Sequence, residues 1–186
     1  MSEIQTAPVI AIDGPSGTGK GTLTQSLAKD LGWHLLDSGA LYRVVAVGAD
    51  AHHIPYDDID RLCGFASAMD VVFSSLFPGS IVLEGQEMSD LIRLESSGAR
   101  ASLVAAIPAL RQALMRRQHA FRQFPGLIAD GRDMGTVVFP DAVLKIFLTA
   151  SAKVRAERRY KQLKNKGVGV NLGDLLLNLR ERDERD

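Results

Sequence analysis

Apolar runs and polar breaks divide the chain of 186 residues into alternating short strands and helices. Val9-Ile10-Ala11-Ile12 is wholly apolar and stops at Asp13, which predicts a strand buried on both faces. Helical spacing of apolar positions follows over 22–31, and a short strand at Trp33-His34-Leu35-Leu36 comes next. Asp37-Ser38-Gly39 reads as a turn into a helix over 40–51, and 57–69 as a further helix. Two strands over 70–74 and 80–84, set about Phe77-Pro78-Gly79-Ser80, predict an antiparallel hairpin inside a β-α alternation. Residues 91–106 and 108–123 both carry helical periodicity. Leu127-Ile128-Ala129-Asp130 and the run 143–148 are the last two strands. Ser151 is placed to cap a helix through 166, Gly167-Val168-Gly169 breaks it, and Asn171 or Asp174 starts a final helix. The pattern is that of an α/β fold with a parallel core sheet and an inserted antiparallel piece.

The first strand and the first helix are joined by Gly14-Pro15-Ser16-Gly17-Thr18-Gly19-Lys20-Gly21-Thr22. Strand, glycine-rich turn and helix in that order form the context of a phosphate-binding loop. Gly14, Gly17 and Gly19 allow conformations that turn successive N–H groups inward, and the helix adds its unpaired first amides. Lys20 supplies a mobile positive charge. The hydroxyl usually found directly after the lysine comes one place later, at Thr22, behind Gly21. Ligands of such sheets bind beyond the carboxyl ends of the strands, so Gly131-Arg132-Asp133-Met134-Gly135 is expected to face the phosphate loop.

Charge narrows the partners. Acidic and basic residues balance at 22 each, which gives no argument for a nucleic acid or a membrane surface. No apolar run reaches membrane-spanning length and no basic leader precedes one, so the cytoplasm is the expected compartment. Cys63 is the single cysteine, which removes both a disulfide framework and a multi-cysteine zinc clip. Residues 153–166 are densely basic, with Glu157 the one acid. Beside a phosphate loop, an arginine-rich helix of this kind is suited to close over a polyphosphate, with Arg155, Arg158 and Arg159 as the closing cations.

Three segments together carry a resemblance. They are the loop ending Lys20-Gly21-Thr22, then Leu36-Asp37-Ser38-Gly39-Ala40-Leu41-Tyr42-Arg43, and then the run from Ile128 through Asp130-Gly131-Arg132-Asp133-Met134-Gly135 to Ala142. In this order, with the hairpin between them, they resemble the bacterial cytidylate kinases, nucleoside monophosphate kinases of the P-loop class. The resemblance implies a P-loop mononucleotide kinase fold with a core (7–37, 124–150, 171–186), a monophosphate-binding region (38–123) and a helical lid (151–170). It implies transfer of the ATP γ-phosphoryl group to CMP or dCMP, with Mg2+; a monomer is expected because such a fold closes on itself. Residue by residue, it assigns ATP binding to the loop Gly14 to Thr22 and to Arg158. Ser38 and Arg43 would contact the acceptor, Arg43 at its α-phosphate. Ser102 and Asp133 would read the cytosine with Arg111 and Arg132, and Asp186 would hold the ribose. Lys20, Arg132, Arg158 and Arg182 would surround the phosphoryl group in transfer.

The chemistry fits those roles. Phosphoryl transfer needs positioning and neutralisation of spread negative charge, which arginine forks supply. No residue is expected to ligate magnesium directly. The ion would travel with ATP and reach the chain through water near Thr22, Asp13 or Asp130, while Asp13 and Asp130 could equally serve to orient their neighbours. Family members continue past the position of Asp186, so a truncated chain is expected, less stable and less active than a longer one. Two rivals remain beside this reading. A small-molecule kinase of the shikimate or gluconate type has no use for the second and third segments. A nucleotide-dependent switch or ATPase module would carry Asn-Lys-x-Asp if guanine-specific, whereas Asn165-Lys166 is followed by Gly167-Val168.

Overall fold

The structure, a computed structural model, describes residues 6–73, 80–165 and 167–185. It contains two compact units, one of Met1–Asp37 with His119–Asp186 and the other of Ser38–Gln118.

The first unit is built on four parallel strands in the order β2-β6-β1-β7. They are β1 (Val9–Asp13), β2 (His34–Asp37), β6 (Leu127–Gly131) and β7 (Leu144–Phe147). All five residues of β6 are buried, as the unbroken apolar run requires. The register pairs Asp13 with Gly131, so the chain leaves β1 and β6 side by side at their carboxyl ends. The loops that follow these two strands therefore start as neighbours, as expected of a doubly wound sheet. Helix α1 (Lys20–Leu31) begins two residues before the apolar periodicity does, because the loop amides run straight into its first turn. Gly32 ends it in the left-handed region at φ 64°, with its N–H turned back to Ala28 and Lys29. Helices α7 (Ala152–Asn165) and α8 (Leu172–Arg185) pack through Ala156, Leu163, Leu175 and Leu179. Ser151 Oγ accepts the Val154 N–H at 3.3 Å, and Asn171 Oδ1 accepts the Gly173 N–H at 2.6 Å; Asn171 is thus the start of the last helix.

The second unit wraps around α2 (Ser38–Ala51), which begins directly after β2 without the turn expected at 37–39. Most of α2 is buried, including Leu41, Val44, Val45 and Val47, so it is a core helix rather than a surface one. Asp58 caps α3 (Ile59–Ala68) by accepting the Arg61 N–H. The expected hairpin is present as β3 (Val71–Phe73) against β4 (Ile81–Leu83), antiparallel; its turn at 77–79 lies outside the described residues. A third strand, β5 (Gln86–Glu87), was not expected. It pairs with β4 across Glu84 and Gly85, both at positive φ (51° and 78°), the geometry of a tight type I′ turn.

The single helix expected over 91–106 is two: α4 (Ser89–Ile92) and α5 (Glu95–Ala105). The break follows from side chains that take carbonyls of α4. Ser97 Oγ takes the Leu91 carbonyl at 2.7 Å and Arg43 takes that of Ile92 at 2.7 Å, while Leu94 turns extended. Helix α6 (Pro108–Ala120) closes the unit. Among the described residues no helix is long and apolar enough to cross a membrane.

Candidate nucleotide site

The phosphate loop leaves β1 at Gly14, whose φ of 141° and tight approach to the Leu148 carbonyl leave no room for a Cβ. Gly17 and Gly19 follow at φ 79° and 99°. The Lys20 ammonium folds back over the loop, donating to the carbonyls of Gly14 at 2.6 Å and Pro15 at 3.1 Å. Thr18 Oγ1 donates to the same Pro15 carbonyl at 3.0 Å. Arg132 reaches the Gly14 carbonyl from the end of β6. Arg158, exposed on α7, donates to the Thr18 carbonyl at 3.1 Å. The sequence-predicted residues Lys20, Arg132 and Arg158 thus meet on one loop.

Beneath the loop lie two carboxylates with different surroundings. Asp13 accepts the N–H groups of Met134 at 2.8 Å and Gly135 at 2.9 Å, one on each oxygen. It thereby orients the segment after β6, where the structure has a π-helical turn, Met134–Val138, in place of an open loop. Such turns recur at functional sites because they redirect backbone groups. Asp130 is buried, 3.8 Å from the Lys20 ammonium, and takes a 3.4 Å hydrogen bond from Thr24. Burial, and then the charge of Asp37, push its carboxyl up to about 7 against the pull of Lys20 and Arg132. Burial and Arg132 hold the Lys20 ammonium below its usual range, with Asp130 acting the other way.

No cluster of three or more His, Cys, Asp or Glu side chains among the described residues has the layout of a metal site. The groups beside the loop are hard oxygens, the exposed Thr22 hydroxyl and the Asp130 carboxyl. That donor set suits magnesium, which keeps most of its water and arrives on phosphates.

Arg155 departs from the closing cation expected of it. It is 3% exposed, and its guanidinium is forked on Asp183 and bonded to the carbonyls of Ser16 at 3.0 Å and Ala150 at 2.9 Å. Arg155, Arg158 and Arg159 were expected to act together as closing cations on this helix, but Arg155 is buried, while Arg159 is partly exposed and contacts Gln162. The signal missed was Asp183, an acid on the last helix that gives the buried guanidinium its partner. Arg182 lies half-buried on α8, and Asp133 is half-buried ahead of the π-helical turn, its carbonyl accepting the Val137 N–H at 2.8 Å.

In the second unit Ser38 is buried as the first residue of α2, and Arg43 follows on the same helix. Ser102 is buried on α5, which packs along α2. Arg111 on α6 donates to the Ala105 carbonyl at 3.2 Å, closing the end of α5. Asp186 lies outside the described residues.

Comparisons with known proteins agree on one family. A family model described as Cytidylate kinase matches residues 10–186. A Pseudomonas putida (strain W619) protein named Cytidylate kinase is 59% identical over 183 residues, 97% of this chain and 80% of the relative. The Aeromonas salmonicida (strain A449) protein of that name is 60% identical over 183 residues, 98% of this chain and 80% of its own. That of Colwellia psychrerythraea (strain 34H / ATCC BAA-681) is 56% identical over 184 residues, 98% of this chain and 81% of its own.

Proposed function

The chain belongs to the cytidylate kinase family, and from that premise we propose how its residues serve the reaction. The enzyme transfers the γ-phosphoryl group of ATP to CMP or dCMP, giving ADP and the diphosphate. The observation that carries the reading is an identity of 56% to 60% with cytidylate kinases over nearly the whole chain.

Donor phosphates bind along Gly14 to Thr22, where loop amides and the first turn of α1 donate to them. Lys20 exchanges the Gly14 and Pro15 carbonyls, its present acceptors, for phosphate oxygens. Arg132, Arg158 and Arg182 add positive charge against the equatorial oxygens in the transition state. Thr22 and Asp130 would hold magnesium through water, and the ion would supply further charge neutralisation when bound. Asp13 is less suited to that role, since both its oxygens already accept amides.

The acceptor is assigned to Ser38 and Arg43, the latter at its α-phosphate, and its base to Ser102, Arg111, Arg132 and Asp133. A carboxylate such as Asp133 accepts from the exocyclic amine of cytosine, and an arginine donates to its ring nitrogen and carbonyl. Asp186 is assigned to the ribose. The attacking group is already an ionised phosphate oxygen, so no general base is required. Residues 38–123 then form the monophosphate-binding region and 151–170 the lid, whose Arg158 meets the phosphates late and keeps water from competing as acceptor.

An ADP-release assay with ATP and magnesium tests the reading. CMP and dCMP should stimulate turnover well above UMP, AMP, shikimate or no acceptor. A rate unaffected by every acceptor would refute it. Arg158→Ala should lower turnover far more than CMP affinity.

A further inference from the structure

Four carbonyl oxygens of the phosphate loop are held by side chains of this chain. Gly14 is held by Lys20 and Arg132, Pro15 by Lys20 and Thr18, Ser16 by Arg155, and Thr18 by Arg158. In a trans peptide the carbonyl and the next N–H point to opposite sides. A held carbonyl therefore fixes the direction of the amide that follows it. By this rule the amides of Ser16, Gly17 and Gly19 are aimed away from the cations that hold their carbonyls.

Arg155 is the best anchored of these donors. Its Nη1 donates to the Ser16 carbonyl and to Asp183 Oδ1, both at 3.0 Å, Nη2 donates to Asp183 Oδ2, and Nε donates to the Ala150 carbonyl at 2.9 Å. Its stem lies under Gly17, where a Cβ would come within 3.3 Å of the Arg155 Cβ. The loop thus rests on both ends of one buried side chain. Burying a guanidinium is unfavourable unless its donors are satisfied, and Asp183 on α8 satisfies two of them.

We propose that Arg155, locked in place by Asp183, is a positioning residue for the donor phosphates, holding the Ser16–Gly17 peptide so that the Gly17 N–H is pre-aimed at a phosphate oxygen. The inference rests on reading the loop as the ATP site of a kinase. A loop held in this way binds phosphate without first having to be ordered, which favours affinity. A pair that merely stitches α7 to α8 would affect stability and leave phosphate affinity alone.

The experiment compares Arg155→Ala, Asp183→Asn and Leu179→Ala with the unaltered chain. Leu179 is buried between α7 and α8 and touches none of the loop carbonyl bonds described above, so it reports stability alone. Melting temperature, the Kd for inorganic tripolyphosphate, and KM for ATP and for CMP are measured at a temperature where each variant is folded. Arg155→Ala and Asp183→Asn should raise the tripolyphosphate Kd and the KM for ATP by about tenfold, with the KM for CMP within about twofold. Leu179→Ala should lower the melting temperature and leave all three constants unchanged. Should Arg155→Ala not fold, Asp183→Asn carries the test. Phosphate affinities within about twofold of the parent, or the same rise in Leu179→Ala, would overturn the proposal. Tripolyphosphate binding reads the loop without an acceptor, so an absence of CMP phosphorylation would remove the functional reading and still leave this one decided.

Discussion

The Lys20 ammonium lies 3.8 Å from the Asp130 carboxylate, yet the Asp130 carboxyl titrates at about 7. A cation at that distance ordinarily draws a carboxyl below its usual value of 3.8. Here burial outweighs the cation, and the neighbouring charge of Asp37 adds to burial. The floor of the phosphate site therefore carries a proton over much of the acidic range, and becomes more negative as pH rises through neutrality.

Stability should follow that proton. The folded carboxyl binds it up to about pH 7 and the unfolded one only up to about 3.8. Its stabilising contribution is complete below the lower value and is lost as pH rises through the upper one. Between about pH 4 and 7 the unfolding free energy of the ligand-free protein should decline by at most about 1.4 kcal/mol per pH unit from this group, and level off above that range. Asp130→Asn should flatten the profile. Parallel slopes in the two proteins would assign the pH dependence to other groups.

Asp13 should be intolerant of its own amide. Its two oxygens accept from the Met134 and Gly135 N–H groups, and the residue is buried. Asp13→Asn sets an NH2 against one of those donors and leaves a buried N–H unpaired. A loss of about 2 kcal/mol in denaturant unfolding is expected. Faster amide exchange at 132–135 should accompany it, since the carboxylate bridges the ends of β1 and the π-helical turn. Unchanged exchange there would mean that the turn holds itself.

Strands β1 and β6 were legible because burial on both faces leaves continuous apolar runs, Val9–Asp13 and Leu127–Gly131. The phosphate loop was legible because positive φ demands glycine, at Gly14, Gly17 and Gly19. What stayed hidden depended on partners distant in sequence. The break before α5 follows from Arg43 and Ser97 taking helix carbonyls, which no local pattern announces. β5 hides in two residues, although Glu84-Gly85 was a turn signal available to be read. Arg155 looked like its exposed neighbour Arg158, because only the fold brings Asp183 beside it. The separate readings of Asp13 and Asp130 likewise needed the hydrogen bonds, since both simply end a strand on a carboxylate.

In the second unit, Gly48 is where α2 meets α3 and β4. A Cβ there would run into the Phe65 ring and come within 3.0 Å of Leu83 Cδ2. Gly48→Ala should destabilise by about 1–3 kcal/mol through overpacking. Phe65 is only half-buried, so its ring has room to be shortened. Adding Phe65→Leu should recover part of the loss, seen as a favourable coupling in a double-mutant cycle of urea midpoints. Additive effects would place the strain elsewhere in α2.

Two loop glycines should separate steric exclusion from backbone strain. At Gly14, φ is 141° and a Cβ would run into the Leu148 carbonyl. That carbonyl is backbone, and the Leu148 N–H is itself bonded to the Asp13 carbonyl at 2.8 Å, so it cannot swing aside cheaply. At Gly19, φ is 99° but nothing lies within 4 Å of the Cβ position. Gly19→Ala should therefore cost only the strained backbone conformation, about 2 kcal/mol. Gly14→Ala adds a clash to comparable strain and should cost about 3 kcal/mol or more, enough to leave little folded protein in a marginally stable domain. Equilibrium unfolding of both variants, with tripolyphosphate binding on whatever remains folded, measures the difference. Equal losses would mean that the Leu148 backbone yields, and the clash would then be no part of the reason for glycine at the start of the loop.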